Sequence, residues 1–164
     1  AFDADGDLWV HEMGPKGGDE LNLILKGENY GYPIVSNGEH YNGKQFFGNH
    51  EDHPIYENPA VSWTPVISPA GLMIYDGDMF SDWDGDAFIG GLSSKALIRV
   101  EFEETPLDNQ GAGGKSKTME KTATEAERFE WGKRIREVEQ GPDGAIYVLE
   151  DDPGGRLIKL TPAG

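Results

Sequence analysis

Short runs in which apolar and polar residues alternate, separated by Asp-Gly and other Gly- or Pro-containing turns, recur along the whole chain. Leu8 to Glu12, the alternation around Leu21, Leu23 and Leu25, Gly71 to Tyr75, Ala87 to Leu92, Ala96 to Phe102, Lys133 to Val138, Ala145 to Glu150 and Gly155 to Thr161 each read as a strand. Ala87 to Leu92 and Ala96 to Phe102 are expected to form a hairpin across Ser93-Ser94-Lys95. Residues 119–130 have mild helical propensity at TEAERF, but their Thr-rich alternation favours an edge strand. Residues 34–62 are irregular and polar, a long connection of the kind that forms lids or binding loops, and 105–117 read as a flexible connection. Asp5-Gly6 and Asp143-Gly144 are each followed by one residue, an aliphatic, an aromatic and Val. Such recurrence marks a repeated β unit, and with so many turns it favours a propeller over a sandwich.

Composition agrees with an all-β chain: 164 residues with 23 Gly and 10 Pro leave room for one domain rich in turns. Fourteen basic against 30 acidic residues give a net charge of −16, a field that repels nucleic acid and anionic membranes. There is no cysteine, so disulfides are excluded, and no apolar run approaches the roughly 20 residues of a membrane helix. The chain opens on Ala1-Phe2 without an initiator Met and reads as a piece of a longer protein.

Candidate chemistry concentrates in residues 11–33, HEMGPKGGDELNLILKGENYGYP, where a Gly-Pro corner, a Gly-Gly, an acidic pair and a Tyr-Gly-Tyr-Pro exit surround a strand start. So many special backbone positions beside hard oxygen ligands point to a cation or a bound small molecule. The second stretch is Lys133 to Val138, where alternation along a strand puts Arg134 and Arg136 on one face. Two guanidiniums there make a bidentate site for carboxylates, or pair with the protein's own Asp or Glu. Asp3, Asp5 and Asp7 lack the later Gly and Glu of a calcium loop and read as a hairpin turn. His50 and His53 read as residues of a solvated loop rather than a metal pair, and Trp83 as a packing residue. Gly114-Lys115-Ser116 is no phosphate loop, because Asn109 stands where the first Gly belongs.

On WVHEMGPKGGDELNLI, NYGYP, SPAG, FIGGL, KRIREV and GPDGAIYVLED with GRLIKLTP, the sequence resembles the soluble pyrroloquinoline quinone (PQQ) dependent aldose sugar dehydrogenases of the glucose/sorbosone dehydrogenase family. The resemblance implies that residues 1–164 are the C-terminal part of a single propeller domain, about half of a six-bladed β-propeller. It also implies a sugar substrate oxidised at its anomeric carbon to a lactone, PQQ and calcium as cofactors, and a periplasmic or secreted location. Gly14 and Pro15 match the Gly-Pro whose carbonyls hold the cofactor-bound calcium, with Asp19 close to that ion. Glu20 and the backbone oxygen of Tyr30 match a second, structural calcium site, and Tyr41 is a candidate for lining the same region. Arg134 and Arg136 match the paired arginines that hold the cofactor.

Some positions depart from the family pattern. Met13 stands where a polar His or Gln is usual, and Ser93 where the family has a cofactor-contacting Lys, with Lys95 as the available substitute on the same face if the strand continues. The general-base His and an Arg-Asn pair belong to the N-terminal portion, so no catalytic residue is expected in this chain, and none of His11, His40, His50 or His53 matches that base. An open half-propeller would expose strand edges and half a core, to be covered by the missing half or by a second copy in a homodimer. The departures at Met13 and Ser93 also keep open a calcium-stabilised propeller that binds without redox activity.

Overall fold

The computed structural model describes residues 1–106 and 119–163. Three antiparallel sheets follow one another along the chain. The first contains β1 (Trp9–Glu12), β2 (Asp19–Leu23) and β3 (Val61–Trp63). The second contains β4 (Pro69–Ile74), β5 (Ala87–Gly91), β6 (Ala96–Pro106) and β7 (Met119–Glu130), and the third β8 (Ile135–Gln140), β9 (Ile146–Glu150) and β10 (Leu157–Leu160). Neighbouring strands are consecutive in sequence throughout, as in the blades of a propeller. The chain is all-β, with one short 3-10 turn at Ser81–Trp83, and no helix of the described residues is long and apolar enough to cross a membrane.

The middle sheet is apolar on both faces because it has a neighbour on both. Ala87, Ile89, Ile98 and Val100 pack with Trp9, Leu21 and Trp63 of the first sheet, while Phe88 and Leu97 pack with Ile135, Val138, Ile146 and Val148 of the third. That explains why AFIGG in β5 is buried at every position. A third copy of the repeated unit emerges at Asp84-Gly85-Asp86-Ala87-Phe88-Ile89. In the first two copies the aromatic residue, Trp9 or Phe88, faces the following sheet. By the same alternation Tyr147 and the 41% exposed Leu149 point away from the sheet that receives Ile146 and Val148, and leave an uncovered face on the third sheet.

Two expectations need correction. The segment 34–62 is not irregular to its end, since Val61–Trp63 adds a third strand to the first sheet. Three residues are too few for a periodic signal, and the strand exists because Trp63 buries itself in the shared core. The strand Lys133 to Val138 begins only at Ile135 and is bulged, so that Arg136 is inserted between the pairs Ile135 with Glu150 and Glu137 with Leu149. A bulge in β4 lies against it: Gly71 has φ +67°, and a Cβ there would come within 2.3 Å of Glu137 Oε1 and 2.8 Å of the Val138 nitrogen. The low-propensity segment 119–130 is a strand, as expected. Most of the connection 105–117, including the rejected phosphate-loop match, lies outside the described residues.

Asp3, Asp5 and Asp7 form a turn closed by a Phe2–Leu8 bridge, as expected, and a lysine sits among them. The Lys121 ammonium reaches Asp3 (2.9 Å), Asp5 and Asp7 (2.8 Å each) and Glu104 (3.3 Å) while its side chain is only 12% exposed. Burial opposes its charge, yet the surrounding carboxylates raise its pKa well above the ordinary lysine value. Burial alone would raise the Asp3 carboxyl, but hydrogen bonds from the Trp9 indole and Lys121 hold it below its usual range. Replacing the amine by an isosteric apolar group (Lys121→Met) leaves four carboxylates facing one another, and should cost about 3 kcal/mol. Thermal melting of the full-length protein checks this, with partial recovery of the variant in high salt expected; an unchanged melting temperature would contradict it.

Candidate functional site

β1 ends and β2 begins at the end of the first sheet where β4 starts in the second and β8 in the third. The loop joining β1 to β2 makes its turn through left-handed backbone at Lys16 (φ +57°), Gly17 (+142°) and Gly18 (+67°). Gly14 lies beneath this turn, where a Cβ would fall 2.1 Å from the Gly17 carbonyl oxygen and 2.3 Å from that of Gly18. Asp19, 1% exposed, holds the loop with both carboxylate oxygens: Oδ1 accepts the Gly14 N–H (2.8 Å) and Oδ2 the Ser68 N–H (2.6 Å). The Pro15 carbonyl accepts the Glu39 N–H at 3.3 Å, and Lys16 pairs with Glu39 at 3.2 Å. The Gly14-Pro15 corner is therefore rigidly placed, with the Pro15 oxygen retaining a second lone pair.

On the β1–β2 ladder Glu12 lies directly opposite Glu20. Two carboxylates in that relation repel, and here a single amide serves both, Asn22 Nδ2 donating to Glu12 Oε1 (3.1 Å) and Glu20 Oε2 (3.4 Å). Burial pushes the Glu20 carboxyl above its usual range, the Glu12 and Asp19 charges adding to the effect while His50 and Asn22 oppose it. Glu12, Glu20, Gly14 and Tyr30 line one cavity of about 210 Å³, with Met13 and Tyr32 at its wall. Asn22 Oδ1, buried close by, has no hydrogen-bond partner. His50 completes the group: Nε2 bonds the Tyr30 carbonyl oxygen (2.9 Å), and Nδ1 stands 3.8 Å from Glu20 Oε1. Among the described residues no three His, Cys, Asp or Glu side chains converge on a metal position, so a cation here would need backbone oxygens as well.

In the third sheet, Arg134 precedes β8 and Arg136 occupies its bulge, and both guanidiniums are half-exposed. They share one carboxylate oxygen: Asp151 Oδ2 accepts from Arg134 Nε (3.1 Å) and Nη2 (3.0 Å) and from Arg136 Nη2 (2.6 Å). The arginines hold the Asp151 carboxyl below its usual range. The adjacent Glu150, its side chain fully enclosed, accepts from Arg156 Nη2 (2.6 Å) and Nε (3.0 Å) and from the Trp131 indole (3.0 Å).

Asp19 and Glu20 are thus buried and no surface acid pair, and Glu20 and the Tyr30 carbonyl meet around His50. His50, 3% exposed, corrects the expectation of a solvated loop, whereas His53 packs at a tilt against the exposed Phe47. Trp83, partly buried, packs among Phe80, Phe88 and Phe129, as expected of a packing residue. Tyr41 is 83% exposed in a turn and lies outside the residues lining the Glu20 cavity. Lys95 does not share a strand face with Ser93: β5 ends at Gly91, the chain turns through Lys95 at φ +54°, and its side chain is exposed while its carbonyl accepts the Trp131 and Gly132 N–H groups. Ser93 is engaged locally, its hydroxyl accepting from Ser68 Oγ (2.9 Å) and donating to the Val66 carbonyl (3.0 Å). Sequence reasoning missed Glu12, Asn22, His50 and Asp151. Glu12 and Asn22 were findable only from strand register, and His50 and Asp151 only from tertiary contacts.

A family model described as Glucose / Sorbosone dehydrogenase matches residues 1–159. The aldose sugar dehydrogenase YliI of Escherichia coli is 34% identical over 156 residues, 94% of this chain and 38% of that protein. The quinoprotein glucose dehydrogenase B of Acinetobacter calcoaceticus is 46% identical over 101 residues, 62% of this chain and 20% of that protein. The crystal structure of the soluble aldose sugar dehydrogenase from Escherichia coli in its apo form superposes with a TM-score of 0.80 at 33% identity, covering 99% of this chain and 44% of that one. The chain spans well under half the length of these relatives.

Asp19→Asn replaces one acceptor by an amide donor facing a backbone N–H, and should destabilise the protein by about 1–3 kcal/mol. Denaturant unfolding measures it, and a loss below 0.5 kcal/mol would contradict the bridging role, taking about that value as the usual limit for surface changes. Glu150 gives a pH dependence. Arg156, with Trp131, lowers its carboxyl from 4.5 to about 2 in the folded state, so the stability it contributes is present above the unfolded value and is lost as pH falls from about 4.5 to about 2. Glu150→Gln should flatten that acid limb of a stability–pH curve; an unaltered limb would contradict the assignment.

Proposed function

The chain belongs to the glucose/sorbosone dehydrogenase family, and from that premise we propose that it is the C-terminal portion of a PQQ- and calcium-dependent aldose dehydrogenase that oxidises the anomeric carbon of sugars to lactones. The observation that carries this reading is the placement, at one end of the stacked sheets, of a rigid Gly14-Pro15 corner over buried carboxylates and of a guanidinium pair that shares a single acid. In a chain with 30 acidic and 14 basic residues, two arginines on one carboxylate leave a local charge of +1 from 2 − 1.

The residues fit both groups by their donor chemistry. Calcium takes hard oxygen ligands in adaptable geometry, which the carbonyls of Gly14, Pro15 and Tyr30 and the carboxylates of Asp19 and Glu20 provide. The Glu12–Glu20 opposition and the unpartnered Asn22 Oδ1 favour a cation beside the second of these sets. Arg134 and Arg136 suit the carboxylates of PQQ, each retaining N–H donors beyond those spent on Asp151. When bound, PQQ would supply a two-electron acceptor and calcium the Lewis acid that polarises it. This chain's own part is to bind and orient: the Gly14-Pro15 loop fixes the cation position, and the arginines fix the anionic rim of the cofactor. The proton from the sugar would go to a histidine contributed by another part of the longer protein, and the uncovered face carrying Tyr147 and Leu149 would pack against that part or a second copy. The family reading carries a periplasmic or secreted location with it.

A second reading has observations of its own. Met13, 56% exposed, stands at the cavity wall, and Ser93 spends its hydroxyl on Val66 and Ser68 of the segment before β4, which favours a calcium-stabilised propeller that binds without redox activity. With calcium and PQQ, the full-length protein should reduce an acceptor dye only when an aldose is present. No sugar-dependent reduction and no PQQ binding, together with a calcium-dependent rise in melting temperature that a chelator reverses, would select the second reading instead.

A further inference from the structure

We propose that Asp151 is the positioning residue of the arginine pair, holding Arg134 and Arg136 side by side so that their remaining N–H groups present one joint anion-binding edge. The inference rests on the cofactor reading given above and adds to it a residue outside the matched Arg positions.

Two guanidiniums with free side chains repel and separate, since each is a full charge that cannot be discharged near neutral pH. Neither Arg134 nor Arg136 has restraint from burial, with side chains 48% and 49% exposed. What keeps them together is Asp151 Oδ2, on which three N–H donors from the two residues converge at 2.6–3.1 Å. The carboxylate is itself fixed. Its backbone N–H donates to the Arg134 carbonyl (2.8 Å), continuing the β8–β9 ladder by one bond. Its neighbour Glu150 is enclosed and anchored by Arg156 and Trp131. The bulge at Arg136 turns that side chain toward the same oxygen as Arg134.

All three contacts use Oδ2. The bonds leave Nη1 of Arg134 and Nε and Nη1 of Arg136 unspent on Asp151. Those groups suit a ligand with more than one carboxylate, and a carboxylate-bearing planar ring matches two forks held in register better than a single small anion does.

The sign of one substitution separates positioning from mere charge competition. If Asp151 only competed for the arginines, removing it would raise the local charge from +1 to +2 and tighten anion binding. If it positions them, its removal weakens binding in spite of the added charge. In metal sites, partners that orient a ligating side chain are worth about 10–100-fold in affinity, and an effect of that order is expected here. The test uses the full-length protein with calcium, titrated with PQQ and followed by quenching of tryptophan fluorescence, for Asp151→Ala, Asp151→Asn and the double variant Arg134→Ala/Arg136→Ala. Melting temperatures identify any variant that fails to fold, and Asp151→Asn, which keeps an acceptor oxygen in place, serves if Asp151→Ala does not fold. The expected result is a Kd raised about tenfold or more by Asp151→Ala and less by Asp151→Asn, with an ionic-strength dependence that is not steeper than the parent's. An unchanged or lower Kd in both Asp151 variants, while the double arginine variant loses binding, overturns this inference and leaves the cofactor reading standing. Unchanged binding in the double arginine variant overturns the cofactor reading and this inference with it.

Discussion

The buried carboxylate of Asp19 is the constraint on which the candidate site depends. It accepts one N–H from the loop between β1 and β2 and one from the segment that leads into β4, and so joins the first sheet to the second at a point where neither has a regular ladder. From there the contacts continue. Ser68 bonds Ser93, the β5–β6 turn bonds Trp131 and Gly132 through the Lys95 carbonyl, Trp131 bonds Glu150, and Asp151 gathers the two arginines. A line of hydrogen bonds thus runs from Gly14 to Arg136 across three sheets, while apolar packing between the sheets keeps their spacing. Loops at strand ends are usually the mobile part of a β fold. Here they are tied down by buried carboxylates and inter-sheet hydrogen bonds, which is what a site needs if it must hold a rigid ligand in one orientation.

Charge follows the same division. At the other end of the sheets, the positive groups are consumed by structure: Lys121 is enclosed by four acids, and Arg99 pairs with Asp86 at 2.5 Å and Glu101 at 2.7 Å. At the end with the candidate site, Arg134 and Arg136 share one acid between them and stay half-exposed. An acidic protein that leaves its guanidiniums so weakly neutralised at one place concentrates there its capacity to attract an anion. The buried Glu20, opposed by the exposed Glu12, makes the complementary feature, a pair of acids within the same end.

The sequence made the fold legible because its local signals and its packing agree. Turn-bounded runs gave β1, β5 and β9 to within a residue and the start of β6, which continues four residues further to Pro106, and the Asp-Gly turns before Trp9 and Ile146 gave the repeat. The third copy before Phe88 escaped notice because β5 is buried on both faces and shows no alternation. Val61–Trp63 escaped because it is short and defined by one buried Trp. At the site, residue types and spacing pointed to the stretch 11–33 and the arginine pair, and the family resemblance singled out Gly14, Asp19, Glu20 and Tyr30 within it. They did not reveal that Glu20 faces Glu12, a matter of register, or that His50 returns from the long connection to reach Tyr30. Lys95 went astray for a local reason: β5 ends at Gly91 and Lys95 turns the chain in left-handed backbone just before β6, so the shared strand face on which its assignment depended does not form.

The central claim, that one stitched end of the sheets holds a cation and a carboxylate-bearing cofactor together, is tested most directly by a crystal structure of the full-length protein grown with calcium and PQQ. The account predicts anomalous density for calcium against the Gly14 and Pro15 carbonyls, and cofactor carboxylates engaged by Arg134 and Arg136 with Asp151 still bridging them. Calcium and PQQ bound elsewhere, with the Gly14-Pro15 corner and the arginine pair untouched, would contradict it.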